Sequence, residues 1–250
     1  DLSNAILAGA DLTGVDLGET NLTEADLTGS DLTKTILTGS LLSRANLAGT
    51  DLSGTIISGV DLSNVLMAET DLSGKDLTGT VLTGADLSNT NLSGTDLSGK
   101  DLSGTVLTGA ELSGTDLTGT ILTGVDLSKS DLTGVDLTET TLTGANLASA
   151  ILLDADLTGV DLTGANLSGA DLTGNDLTGT ILTGVSMPYS ILSDVDLAGK
   201  DLSGTNLSGA DLSNVILTGS DLTGTDLSNA ILAGADLTGV DLGETNLTEA

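Results

Sequence analysis

The sequence predicts an all-β solenoid, a chain wound into stacked coils, and three observations carry that expectation. One position recurs every five residues from Leu2 to Leu247, 50 times in succession, and it is leucine except at Ile57, Met67 and Met187. Each period reads Asp-Leu-(Ser/Thr)-Gly-(Thr/Ala/Val/Ser), as in Asp11-Leu12-Thr13-Gly14-Val15 and Asp221-Leu222-Thr223-Gly224-Thr225. The chain has no Phe, Trp, His or Cys, one Tyr (Tyr189) and one Pro (Pro188), so its core has to be made of leucine and small side chains.

The period itself selects the element. An α-helix needs apolar residues at i, i+3, i+4 and i+7, and a spacing of five drifts around that cylinder. A flat strand alternates with period two. Five is odd, so the alternation must be reset once per repeat, and a corner resets it. Leucine and the small residue two before it then face one side, and the Asp between them faces the other. Glycine at the fourth place supplies the permissive backbone of the corner. A chain that turns every five residues winds into coils that hydrogen-bond to one another at about 4.8 Å.

Period alone leaves the number of sides per coil open. The motif resembles the pentapeptide-repeat family, whose pattern is Ala-(Asp/Asn)-Leu-X-X, and the resemblance covers all 250 residues. It implies a right-handed quadrilateral β-helix with four pentapeptides in each coil. On that basis 1–250 is a single continuous, uncapped solenoid of about 12.5 coils, roughly 60 Å long. Its core is a leucine ladder beside small residues such as Ala10, Val15 and Thr20.

A second period overlies the first. Residues 226–250 repeat residues 1–25 without a change, including the unusual Ile-Leu-Ala-Gly-Ala. From position 1 to its recurrence at position 226 the chain runs through 45 pentapeptides. The expectation is a window on a longer polypeptide of tandem 225-residue units. At four repeats per coil, successive units start one face around from the last and advance by about 54 Å.

Composition narrows the functions. A formal charge of −30, from 36 acidic and 6 basic residues, disfavours nucleic-acid phosphates and anionic membranes as partners. No apolar run approaches the roughly 20 residues of a membrane span, so membrane insertion is not expected. Without His and Cys, the usual triads and zinc sites are excluded. Carboxylates recur in identical rows rather than in one singular cluster, and glycine always stands at the corner. The expectation is no enzyme, with no catalytic, cofactor-binding or metal residues.

Four departures from the pattern stand out. Thirteen Asp positions carry apolar residues instead: Ile6, Ile36, Leu41, Ile56, Leu66, Val81, Val106, Ile121, Ile151, Ile181, Ile191, Ile216 and Ile231. The alternation points them outward on all four faces, either as scatter that interrupts like charge or as lateral contacts with neighbouring solenoids. Second, Asp76, Asp96, Asp116, Asp136, Asp156, Asp176 and Asp196 follow one another at 20-residue intervals as an acidic ladder. It admits two readings: calcium bridging between stacked carboxylates, or backbone hydrogen bonds that leave each Asp solvated. Third, Lys75, Lys100 and Lys200 occupy the inward small position, which predicts side chains that snorkel out or pair with acids at a corner. Fourth, Ser186-Met187-Pro188-Tyr189-Ser190 is irregular, and its proline predicts a local break.

The leading functional expectation is a structural protein: a segment of a long extracellular or cell-surface fibre whose partner is itself, laterally and end to end. The alternative comes from the resemblance. Some family members resemble DNA in shape and charge and occupy the DNA site of type II topoisomerases. The charge of −30 fits such an acidic DNA-mimic module, whereas the absence of Phe departs from those members.

Overall fold

The computed structural model describes residues 1–250, which form two compact units, Asp1–Ile121 and Leu122–Ala250. Both are built on one rule, which follows from where the five N–H groups of a repeat find acceptors. In the first unit, Asp26 N–H donates to the Ala5 carbonyl one coil back (2.9 Å), and Leu27 N–H donates to Asn46 one coil on (2.8 Å). Thr28 N–H turns to its own repeat and donates to Asp26 Oδ1 (3.0 Å). Gly29 N–H reaches Ala48 O (3.0 Å), and Ser30 N–H closes the turn on Leu27 O (2.9 Å). The second unit repeats this at Asp221–Thr225, with Thr223 N–H on Asp221 Oδ1 (2.9 Å) and Gly224 N–H on Gly243 O (2.8 Å). The third residue's amide has no partner in the next coil, so an Asp or Asn two residues earlier satisfies it. That is the physical reason for the acidic period.

Each corner is a four-residue turn closed from the fifth residue to the leucine, with φ positive only at its third place, the signature of a type II turn. Gly224 sits there at φ +70, a conformation that costs L-residues about 1–2 kcal/mol. Asn, Asp, Glu, Lys, Arg, Ser and Tyr residues hold the same left-handed conformation where glycine is absent, among them Asn64 and Lys129.

Four repeats close one turn of the coil, as the resemblance implies. The bridges establish this, because they are parallel and join positions 20 apart, from Ile6–Asp26 in the first unit to Asp226–Asn246 in the second. Leucines of the inner coils are buried, Leu92 and Leu167 completely, and burying one leucine contributes about 1.5–3 kcal/mol. The small position is buried as well in the inner coils except at the lysines. Of the expected core residues in the first coil, Ala10 and Thr20 are half-buried and Val15 is exposed, because no coil precedes them in 1–250 to cover them. Where the small position is threonine, the hydroxyl in most repeats donates to a leucine carbonyl, either of its own turn (Thr50 to Leu47, 2.8 Å) or of the coil before (Thr115 to Leu92, 2.9 Å), whereas the buried Thr205 hydroxyl has no partner. The core thus keeps all but Ser30 Oγ, Asn175 Oδ1 and Thr205 Oγ1 of its buried side-chain polar atoms hydrogen-bonded.

Outward positions behave as the alternation predicts. All thirteen apolar substitutes at the Asp position are exposed. The irregular repeat keeps its place in the coil: Ser186 bridges Asn166 and Asn206, and Tyr189 N–H still donates to Ser208 O (2.9 Å). The expected break at Pro188 does not occur, because Pro188 stands at the third place, whose amide makes no inter-coil bond. No helix is long and apolar enough to cross a membrane.

Candidate functional site

The acidic ladder resolves in favour of hydrogen bonding. In Asp76, Asp96, Asp116, Asp136, Asp156, Asp176 and Asp196, Oδ1 accepts the N–H two residues on, at 2.8–2.9 Å. The Thr78 hydroxyl and amide hold Asp76 below the usual carboxylate range, and they outweigh repulsion from Asp96. No group of three or more His, Cys, Asp or Glu residues is placed to hold a metal ion, so nothing supports the calcium reading.

The ladder is also interrupted, and the inward lysines interrupt it. From Ile6 onward, every pair of Asp positions 20 apart within a unit is bridged except six. These are Asp51–Asp71 and Ile56–Asp76, Asp76–Asp96 and Val81–Asp101, and Asp176–Asp196 and Ile181–Asp201. Each couple of missing bridges flanks one lysine: Lys75, Lys100 and Lys200 in turn. Asp76 belongs to two couples and is unbridged on both sides.

The lysine side chains explain the gaps. Lys100 Nζ donates to Thr80 O (3.2 Å) and Lys200 Nζ to Thr180 O (3.0 Å), in each case the carbonyl one coil back. In regular repeats that carbonyl accepts the N–H of the following Asp position, as Ala5 O does from Asp26. Lys75 Nζ donates to Leu52 O and to Thr55 O (3.4 Å). An ammonium carried into the coil wall must find acceptors, because leaving it unpaired is costly. It takes a ladder carbonyl, and the coils part around its stem. Between residues 49–57 and 68–76 no backbone hydrogen bond remains, although Leu47 N–H to Leu66 O (2.7 Å) and Gly59 N–H to Thr78 O (2.8 Å) persist on either side. A cleft of about 620 Å³ opens there, lined by Asp51, Ser53, Glu69, Asp71, Ser73 and Lys75, and a smaller one of about 310 Å³ opens at Lys100.

The expectation that these lysines snorkel or pair with acids is therefore corrected: they are half-buried and bonded to backbone. Burial lowers the Lys75 pKa, while Asp71 and Asp51 act in the opposite sense without contact ion pairing. The one contact ion pair is Arg44–Glu24 (3.3 Å), exposed and of little energetic weight. Asn175 provides an internal comparison. It occupies the same inward position, and its Nδ2 donates to Ala155 O, again one coil back (3.1 Å), yet bridges Ile151–Asp171 and Asp156–Asp176 both survive. The amide also disturbs the ladder, since the Leu157 N–H to Asp176 O and Asp176 N–H to Ala155 O bonds are absent and a cleft of about 230 Å³ opens there, but unlike the lysines it leaves both bridges in place.

A four-sided coil with buried leucines and hydrogen-bonded acids defines a β-solenoid. The chain belongs to the pentapeptide-repeat family. The family pattern, described as pentapeptide repeats, matches in eight copies over residues 1–39, 25–64, 61–99, 85–124, 121–152, 150–187, 190–229 and 230–250. That family folds as a right-handed quadrilateral β-helix, and its members are in general non-enzymatic. Among solved structures the chain is similar to HetL, a pentapeptide repeat protein involved in heterocyst differentiation regulation from the cyanobacterium Nostoc sp. strain PCC 7120. Identity is 31%, over 92% of this chain and 91% of HetL, with a TM-score of 0.45. Rfr23 from the cyanobacterium Cyanothece 51142 is 31% identical over 53% of this chain and 88% of its own, with a TM-score of 0.26. QnrB1, a plasmid-mediated fluoroquinolone resistance protein, is 21% identical over 73% of this chain and 89% of its own, with a TM-score of 0.32. No curated protein sequence matches the chain.

Proposed function

We propose that this protein is a structural segment of a tandemly repeated extracellular or cell-surface fibre that associates laterally with copies of itself. The observation that carries the reading is the exposure of all thirteen apolar side chains at Asp positions. In the second unit three of them, Ile151, Ile191 and Ile231, share one row and alternate with Asp171 and Asp211. Exposed apolar side chains on a β-surface invite association. The alternating carboxylates keep the surface soluble until a partner row covers it. The identity of residues 226–250 with 1–25 supports the tandem arrangement. Electron microscopy of the native material tests the proposal. Filaments with an axial repeat of about 54 Å are expected from the inter-coil spacing, and dispersed particles at all concentrations would refute it.

A second reading rests on the charge of −30. An acidic module of this kind would occupy the DNA site of a type II topoisomerase rather than bind nucleic acid. Inhibition of gyrase supercoiling would support it, and full activity at saturating protein would end it.

A further inference from the structure

We infer that the three inward lysines are built-in yield points, seams at which the coil stack opens before it opens anywhere else. The inference is independent of the fibre proposal. It rests on a correspondence without exceptions inside either unit. Every lysine at the small position removes the two bridges that flank it, and no other residue at that position removes any.

Lost backbone pairing and flanking aspartates mark each seam, and an open cleft joins them at Lys75 and Lys100. Backbone N–H and C=O groups lose their inter-coil partners, as across 49–57 and 68–76. Between residues 75–83 and 94–102 backbone pairing is likewise absent, while Gly74 N–H to Ser93 O (3.2 Å) and Gly84 N–H to Ser103 O (3.0 Å) close the gap at its edges. Water gains access, since the clefts at Lys75 and Lys100 are open. The ammonium stands beside aspartates of both coils that it parts: Asp71 and Asp51 for Lys75, Asp96 and Asp76 for Lys100, Asp196 and Asp176 for Lys200. The seam is thus held by one flexible charged side chain in place of a rigid ladder. Regions with few inter-element hydrogen bonds and exposed backbone open at lower free energy than the rest of a fold. In a quasi-one-dimensional stack, each coil interface contributes separately, so a weak interface stays weak locally.

The rule is transferable. A lysine at inward position i should unpair positions i−24 and i−4, and positions i−19 and i+1. Hydrogen exchange on the full chain, read by mass spectrometry of peptic fragments, tests it with three variants. In the wild type, fragments covering 49–57, 68–76 and 94–102 should exchange at least about tenfold faster than those covering 26–46, the factor that corresponds to about 1.4 kcal/mol of local opening. Lys75→Thr should slow 49–57 and 68–76, Lys75→Asn should slow them less, as the reduced pairing around Asn175 implies, and both should leave the Lys200 seam fast. Thr35→Lys should speed exchange around Asp11, Asp31, Asp16 and Ile36, which are bridged in the wild type. Equal protection of seam and non-seam fragments would overturn the inference. So would unchanged exchange in both Lys75 variants, whatever the fate of Thr35→Lys.

Discussion

Replacing Ile151, Ile191 and Ile231 together by threonine tests whether the outward apolar row is a contact surface. The three occupy one bridged row of the second unit and are 40%, 39% and 52% exposed. Fully burying an isoleucine contributes about 1.5–3 kcal/mol, so covering what remains exposed contributes about 2–4 kcal/mol per copy. Opposing this are Asp171 and Asp211 in the same row. Unit charges about 4 Å apart in water repel by about 1 kcal/mol, and the repulsion is screened over about 8 Å at physiological salt. Two such rows therefore meet at a balance that salt decides. Threonine keeps the β-branched shape and leaves the carboxylates in place, so the variant removes only the apolar term. Sedimentation equilibrium at low and high sodium chloride reads the outcome. The wild type should associate more tightly as salt rises, and the variant should lose at least about tenfold in association constant. Identical sedimentation of wild type and variant at both salts would refute the argument.

The coil itself can be probed at its core, a corner and its carboxylates. Leu92→Ala, at a completely buried site, should lower unfolding free energy by about 2–5 kcal/mol in urea titration; a loss under about 1 kcal/mol would mean that the leucine ladder is not the core. Gly209→Ala places a Cβ 2.6 Å from the Tyr189 ring carbons Cδ1 and Cε1 at a φ of +66, so it should cost about 1–2 kcal/mol and shift the fluorescence of the single tyrosine. Hydrogen bonds from the hydroxyl and amide two residues on hold Asp26, Asp76, Asp161 and Asp221 below their ordinary 3.8. Depressed folded values give stability that is fully present above 3.8 and is lost as pH falls through them. The urea midpoint should hold steady down to about pH 5 and fall below about pH 4; a midpoint that rises on acidification would contradict the assignment.

Much of the coil was legible in the period because its physics is local. Leucine, small residue and corner follow from alternation plus one reset, and they need no knowledge of distant contacts. Four-sided closure is different, since it depends on the angle that each corner turns; the family resemblance supplied it. The role of Asp was half legible. Solvated aspartate was one of two readings, but its specific partner, the third residue's amide, emerges only when all five N–H groups of Asp26–Ser30 are traced. The lysine seams were not legible. Their inward position was visible, but not that Leu52 O and Thr55 O, one coil back, lie within reach of the Lys75 ammonium. Asn175 at the equivalent place loosens the backbone pairing yet keeps both bridges, and no pattern of residue types along the chain reports that difference.

The hydrogen-bond pattern of the repeat ranks its deviations by what each one removes. An apolar residue at the Asp position loses a single hydrogen bond to the third amide, about 1 kcal/mol, because that amide can turn to water instead. Thirteen such replacements are present, and every inter-coil bridge that they make within a unit survives unless a lysine flanks it, as at Ile56, Val81 and Ile181. A lysine at the small position removes two bridges, hence about four ladder hydrogen bonds, and recovers only one or two through Nζ. Threonine would have fitted each of these sites without loss, as Thr55 does with its hydroxyl on Leu32 O (2.6 Å). Information in a chain this uniform lies in its exceptions. The outward exceptions leave the stack intact and alter what its surface can touch. The inward ones leave the surface acidic and alter where the stack can part.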